Sequence, residues 1–99
     1  MEEINLQTKI QTKLQKPPMY MVLFHNDDYT TMEFVIFVLM AIFQKSLLEA
    51  TSIMMEVHTK GIALVGIYTF EIAQTSVAKV EDLAEQNDYP FLVTVEETT

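Results

Sequence analysis

The chain has 99 residues, 49% of them hydrophobic, with only two Gly and three Pro, so it encodes one folded domain and is neither disordered nor collagen-like. Fourteen acidic residues against six basic ones give a formal net charge of −8, which opposes a nucleic-acid-binding module. The absence of Cys excludes a disulfide framework, a thiolate nucleophile and a cysteine-based zinc site, and it fits a reducing compartment.

The first eighteen residues are rich in Gln, Thr, Asn and Lys and end in Pro17 and Pro18. We therefore expect a flexible N-terminal extension over residues 1–18 and a core domain over residues 19–99. Acidic side chains precede any Lys and no apolar run follows, so the start is unlike a secretory signal and a cytoplasmic location is expected. The longest apolar run is too short to span a membrane, which needs about 20 residues.

The first half of the core domain carries signals for one strand and two helices. Apolar, β-branched and aromatic residues at 19–24 predict a strand, which a polar turn follows. Thr30 and Glu33 have the spacing of a capping box and predict a helix from there to about Phe43. A second such pair predicts another helix, with Ser46 as its cap and a Lys-Gly pair at residues 60–61 as its end.

The second half predicts a strand, a helix and a strand. Residues 62–68 are apolar and β-branched, with Gly66 as the expected bulge. Thr69 is the expected cap of a third helix that ends near Asn87, and residues 91–95 predict the last strand. The apolar side of the third helix is expected to hold Ile72, Ala73, Val77, Val80, Leu83 and Ala84. The order β-α-α-β-α-β predicts an α+β domain, in which three helices cover one face of a three-stranded antiparallel sheet.

Four consecutive polar residues, His25 to Asp28, separate the first strand from the first helix. Asn and Asp favour such turns because their side chains bond the nearby backbone, so a purely structural role accounts for them. The same oxygens are also hydrogen-bond acceptors that suit a cationic ammonium group. The residues alone leave both interpretations open.

His58 is a second candidate, because it lies at helical spacing on an otherwise apolar face. Such a His is usually a core residue, yet its neutral imidazole can accept a hydrogen bond from an ammonium group. Met32 and Met54 are the expected walls of an adjoining pocket. An alternative is a small metal-dependent enzyme, or a protein-interaction module, that uses His25, Asp28 and His58.

The sequence from Pro17 to Glu97 resembles the ClpS family, the bacterial adaptors of the Clp protease. The resemblance depends on short blocks that occur in the family's order. They are PPMY at 17–20, NDDYT at 26–30, MEFV at 32–35, Met54, EVH at 56–58, KG at 60–61, YT at 68–69 and EIA at 71–73.

The resemblance implies an adaptor without enzymatic activity and without a cofactor. Such an adaptor recognises N-degrons, which are proteins that begin with Phe, Leu, Tyr or Trp and have a free α-amino group. It delivers them to the ClpA unfoldase for degradation by ClpP, and the N-terminal extension takes part in delivery rather than in substrate binding.

The resemblance also implies roles for individual residues. Asn26, Asp28 and His58 would bind the α-amino group of the substrate, while Asp27 and Thr30 would support the entrance. The first side chain of the substrate would contact Met32, Val35, Met54, Val57 and Phe91. Met32 would also disfavour β-branched first residues.

Three departures from the family pattern concern specificity and partners. Phe91 occupies a position that is commonly Leu, which implies a changed pocket volume. On the face that docks on ClpA, Glu71 is retained, but Ser76 lies in a segment where the family usually has Lys. On the first helix, Phe37 and Met40 fall on a stripe that is normally polar. Two interpretations stay open, a surface for self-association and an exposed apolar patch that is simply tolerated.

Overall fold

The computed structural model describes residues 17–98. Most of the expected N-terminal extension, residues 1–16, therefore lies outside the described residues. Six elements follow one another in the predicted order and confirm the α+β class. They are β1 (Met19–His25), α1 (Met32–Ala41), α2 (Leu47–Lys60), β2 (Ile62–Thr69), α3 (Phe70–Gln86) and β3 (Val93–Glu97).

The three strands form an antiparallel sheet in the order β2-β1-β3, so the first strand is central. The pairing of β1 with β2 shifts between Val22, opposite Gly66, and Leu23, opposite Leu64. Val65 is therefore the extra, bulged residue on β2. The bulge predicted at Gly66 lies one residue earlier, at Val65.

One face of the sheet carries the core. Val22 and Phe24 of β1 are fully buried. The Phe24 ring packs edge-on against Phe43 and Phe91, with centroids 5.7 and 4.8 Å away. Residues of all three helices join the same buried cluster, so the helices cover this face as predicted. Several apolar residues of the other face, such as Ile62 and Leu64, are exposed.

The first helix begins and ends differently from the prediction. Its cap is Thr31, whose hydroxyl accepts a hydrogen bond from the Phe34 N–H at 3.1 Å, because the Thr30 hydroxyl instead donates to Asp27. The helix stops at residue 41 rather than near residue 43. The chain leaves it through Gln44, which has a left-handed φ of 58°.

The second helix begins and ends as predicted. Ser46 and Glu49 form a reciprocal capping box, with the Ser46 hydroxyl accepting from the Glu49 N–H at 3.1 Å and the Glu49 carboxylate accepting from the Ser46 N–H at 3.0 Å. At the other end, Gly61 adopts a left-handed φ of 88°. Its N–H donates to the Val57 carbonyl at 2.9 Å and closes the last turn.

The third helix is capped by Thr69 and followed by Asn87, as predicted, but its apolar side differs at Ile72. Ile72 is 53% exposed, because it precedes by one residue the buried stripe that starts at Ala73. The last strand begins at Val93 rather than at residue 91, since Val93 is the first residue paired with β1. Phe91 lies before the strand and packs into the core.

No helix in the described part of the chain, residues 17–98, has both the length and the apolarity to cross a bilayer.

Candidate functional site

A cleft of about 470 Å³ opens between the turn after β1, the start of α1 and the second half of α2. Its lining combines polar side chains from the turn with apolar side chains from the two helices. The lining residues are Asn26, Asp27, Asp28, Tyr29, Thr30, Thr31, Met32, Glu33, Val35, Met54, Val57 and His58.

Asp27 holds the turn in place. One of its carboxylate oxygens accepts from the backbone N–H groups of Tyr29 and Thr30, at 2.8 and 2.7 Å, and the other accepts from the Thr30 hydroxyl at 2.8 Å. Partial burial alone would raise the pKa of Asp27, but these hydrogen bonds outweigh it and lower the pKa below its ordinary value. Both oxygens of Asp27 are thus engaged within the turn.

A backbone hydrogen bond ties this turn to the end of α2. The Asn26 N–H donates to the Gly61 carbonyl at 2.9 Å. Because Gly61 follows His58 by three residues, this contact sets the turn beside the last turn of α2. Asn26, Asp28 and His58 therefore line the same cleft, and all three side chains are solvent-exposed.

The floor of the cleft is apolar. Val35 comes from α1, whereas Met54 and Val57 lie one turn apart on α2, and all three are buried. Met32, the first residue of α1, is 41% exposed and lines the same cleft. A cleft with this floor and with hydrogen-bond acceptors around it suits an apolar group that carries a cation.

Phe91 is the predicted pocket residue that does not line this cleft. Its ring is buried against Phe24 and Phe34, with centroids 4.8 and 6.1 Å away. It lines a neighbouring groove, which also includes Tyr29.

The sequence interpretation did not single out Tyr29, Thr31 and Glu33, which also line the cleft. In the sequence they alternate with the predicted site residues Asp28, Thr30 and Met32, within the turn after β1 and the first turn of α1. That proximity in sequence was the available signal for them.

The three residues of the alternative metal site do not come together as ligands. His25 lies on β1, where its Nε2 pairs with the Thr94 hydroxyl at 2.8 Å, and it does not line the cleft with Asp28 and His58. Within residues 17–98, no group of three or more His, Asp and Glu side chains could hold a metal ion. The metal-dependent enzyme therefore loses its proposed ligand set.

The two residues expected to dock on a partner lie on α3, outside the cleft. Glu71 is exposed in the first turn of this helix, and Ser76 is half-buried further along it.

Comparison with known proteins identifies the family. Residues 15–94 match the model of a family described as "ATP-dependent Clp protease adaptor protein ClpS". The chain belongs to the ClpS family. As a ClpS-family member, it is an adaptor of the Clp protease, and the resemblance identified from the sequence is confirmed.

Similar ClpS proteins occur in several bacteria. The chain is 50% identical over 88 residues to the ClpS of Lawsonia intracellularis, covering 89% of this chain and 81% of that protein. It is 45% identical over 96 residues to the ClpS of Syntrophus aciditrophicus, covering 97% of this chain and 88% of that protein.

A solved ClpS structure shares the fold. Agrobacterium tumefaciens ClpS2, bound to L-phenylalaninamide, superposes with a TM-score of 0.80 at 36% sequence identity. The match covers 84% of this chain and 100% of the ClpS2 chain.

Proposed function

We propose that this ClpS-family adaptor binds N-degrons that begin with Phe, Leu, Tyr or Trp and have a free α-amino group. The observation that carries the proposal is the cleft, in which an apolar floor lies below the exposed acceptors Asn26, Asp28 and His58. The ligand of the related ClpS2, L-phenylalaninamide, has the same two features, an aromatic side chain and a free α-amino group.

In this proposal, the substrate ammonium donates hydrogen bonds to the side-chain oxygens of Asn26 and Asp28 and to a neutral imidazole nitrogen of His58. Hydrogen bonds to a charged group contribute about 1.5–3 kcal/mol each. An acetylated amine has no positive charge and fewer N–H donors, so it loses most of this contribution. Asp27 and Thr30 support the entrance by holding the turn.

The first side chain of the substrate enters between Val35, Met54 and Val57, with Met32 at the mouth. Phe91 acts indirectly, through its packing against Phe34 of α1. Burial of a large apolar side chain contributes roughly 1.5–3 kcal/mol. Because part of this energy offsets the entropy lost on association, we expect affinities on the order of micromolar. A β-branched first residue is disfavoured by contact with Met32.

The proposal extends to delivery of the bound substrate. The adaptor passes it to a ClpA-type AAA+ unfoldase for degradation by ClpP, in the cytoplasm and without an enzymatic reaction of its own. Glu71 and Ser76 of α3 form the docking face, and residues 1–18 act in delivery. The Glu71→Ala variant is expected to lose binding to the unfoldase while it retains binding to a peptide that begins with Phe.

Self-association through α1 is also part of the proposal. Phe37 and Met40 are 54% and 40% exposed and lie about one turn apart on this helix, so they can form one apolar patch. Sedimentation at increasing protein concentration is expected to show a reversible dimer that the Phe37→Ser variant weakens. A strictly monomeric profile at high concentration would contradict this surface.

The decisive experiment is a fluorescence-anisotropy titration with one labelled peptide that begins with Phe. The peptide is expected to bind with a micromolar or lower Kd, and the same peptide with an acetylated N-terminus is not expected to bind. His58→Ala and Asp28→Ala should each raise the Kd by about tenfold or more. The matched controls, His25→Ala and Asp82→Ala, change a His and an Asp outside the cleft and should leave the Kd unchanged.

Absence of binding by the free-amine peptide would overturn the proposal. Equal binding of the free and acetylated peptides would also contradict it, since the acceptors would then have no role.

A further inference from the structure

A second groove, of about 570 Å³, lies beside the cleft. It is bounded by the last two turns of α3, by the segment that leads to β3 and by the turn after β1. Its lining residues are Tyr29, Glu81, Ala84, Glu85, Asp88, Tyr89, Pro90 and Phe91.

The groove adjoins the cleft at Tyr29, which lines both and is 74% exposed. The hydroxyls of Thr31 and Tyr89 lie 3.4 Å apart, so a residue of the cleft also touches a residue of the groove. A ligand whose first residue occupies the cleft therefore has the groove as its neighbouring surface.

The walls of the groove are largely apolar and aromatic. Tyr29, Tyr89 and Phe91 supply rings, which suit the aliphatic part of a long side chain and attract a cation at their faces. The Tyr89 ring is fixed by edge-on packing against Phe34, with centroids 4.9 Å apart.

Three exposed carboxylates complete the groove. Glu81 and Glu85 are one turn apart on the same stripe of α3, and Asp88 follows just after the helix. The negative end of the α3 dipole lies at the same place, since the helix ends at Gln86. Charge and aromatic walls together favour one kind of side chain, a long one with a positive end.

We propose that this groove is a second substrate subsite, which binds a Lys or Arg side chain from the second to fourth residues of the N-degron. The inference rests on the proposed function, because the first residue in the cleft places the following residues nearby. An extended chain advances about 3.3 Å per residue, so three residues span roughly 10 Å. The groove begins at Tyr29, which also lines the cleft, so a basic side chain within this reach can enter it.

Two effects could favour a basic peptide, attraction by the net charge of the whole protein and binding by the carboxylates of the groove. The net charge of −8 attracts any basic peptide, but salt screens exposed charges over about 8 Å at physiological ionic strength. A local site depends on the carboxylates of the groove and not on equivalent ones elsewhere. Asp82, exposed on α3 outside the groove, is a matched acid for this comparison.

The test compares three labelled peptides that differ only at residues two and three, Phe-Lys-Lys, Phe-Gln-Gln and Phe-Glu-Glu, each followed by the same neutral sequence. Kd values are measured at physiological salt for the wild type, for the Glu85→Gln/Asp88→Asn variant and for the Asp82→Asn/Glu97→Gln variant. The last variant removes two negative charges outside the groove.

For the wild type, the Lys peptide is expected to bind about three- to tenfold more tightly than the Gln peptide, the range for one or two exposed ion pairs. The groove variant should reduce this ratio to near one, and the control variant should preserve it. An equal loss in both variants would show that net charge alone attracts the peptide and would overturn the subsite. Equal Kd values for all three peptides would also overturn it.

The two proposals fail in different ways. If the Phe-Gln-Gln peptide binds but charge at residues two and three has no effect, the groove inference is wrong and the N-degron cleft stands. If none of the three peptides binds, the proposed function itself is contradicted, and with it the subsite that depends on it.

Discussion

Asp27 accepts hydrogen bonds from both the backbone N–H and the hydroxyl of Thr30, at 2.7 and 2.8 Å. These bonds fold the turn back on itself between β1 and α1. They also divert the Thr30 hydroxyl from capping the helix, a role that Thr31 takes instead. The position of Asn26 and Asp28 at the cleft thus depends on Asp27, which lies between them and whose carboxylate is bonded within the turn.

The Asp27→Asn variant is expected to lower the free energy of unfolding by about 1 kcal/mol and to weaken peptide binding several-fold. The amide replaces a charged acceptor of three hydrogen bonds with a weaker, neutral one. Chemical denaturation and anisotropy titration measure the two effects. The Asp82→Asn variant is the control, since the exposed Asp82 carboxylate accepts a bond from the Gln86 side chain of the same helix and lies outside the turn. Unchanged stability of Asp27→Asn would contradict this role.

The hydrogen bonds between Asp27 and Thr30 also predict how the free energy of unfolding depends on pH. The pKa of Asp27 is lowered in the folded chain, so its stabilising contribution is fully present above its ordinary pKa of 3.8. The contribution is lost as the pH falls through the lower pKa of the folded state. Between pH 5 and pH 2, the wild type should therefore lose more stability than the Asp27→Asn variant. Parallel losses would contradict the assignment.

Local signals in the sequence were enough for the order of the elements. Ser46 and Glu49 are close in sequence and satisfy each other's backbone groups, so their pattern alone fixed the start of α2. The prediction that Thr30 caps α1 was wrong, because the Thr30 hydroxyl donates to Asp27 instead. The spacing of a capping box does not include this competing bond.

The cleft could be predicted only in part. The residue types at Asn26, Asp28 and His58 indicated acceptors for an ammonium group, but their meeting depends on the long-range bond from Asn26 to the Gly61 carbonyl. Tertiary contacts of this kind leave no periodic signal. The place of Phe91 outside the cleft depends likewise on tertiary packing, against Phe24 and Phe34.

Ser46→Ala is expected to lower the free energy of unfolding by about 1 kcal/mol, because it removes the hydroxyl that caps α2. Peptide affinity should change little at temperatures where the variant is folded, since Met54, Val57 and His58 lie at least two turns away. Ser52→Ala, at an exposed position within the same helix, is the control. Thermal melts of both variants measure the difference, and equal melting temperatures would argue against the cap.

Gly66→Ala is expected to destabilise the sheet by about 1–3 kcal/mol. A Cβ at this position would lie 2.7 Å from Cζ of the Tyr68 ring, so the ring would have to move. A second substitution, Tyr68→Leu, should recover part of the loss, and a double-mutant cycle measures the coupling.

Gly61→Ala serves as the comparison for that cycle. Its Cβ would meet nothing within 4 Å, so its cost, about 1 kcal/mol, comes from the left-handed φ of 88° alone. Tyr68→Leu should not recover any of this cost. If it relieved Gly61→Ala as much as Gly66→Ala, the steric explanation for Gly66 would be wrong.

Phe91→Leu is expected to change the preference among first residues of the substrate. The ring centroids of Phe91 and Phe34 are 6.1 Å apart, and Phe34 precedes the floor residue Val35 on α1. A smaller side chain leaves space into which Phe34 can relax, and the floor of the cleft then deepens. Affinity for peptides that begin with Trp should rise relative to those that begin with Leu, as measured with peptides that differ only at that residue.

Phe43→Leu is the matched control for this prediction. Phe43 is buried and packs edge-on against Phe24, as Phe91 does, but it lines neither the cleft nor the groove. Both variants should lose about 1–2 kcal/mol of stability from the truncated ring, whereas only Phe91→Leu should alter the ratio of the Trp and Leu affinities. The same ranking of first residues in the wild type and in Phe91→Leu would show that Phe91 has no influence on specificity.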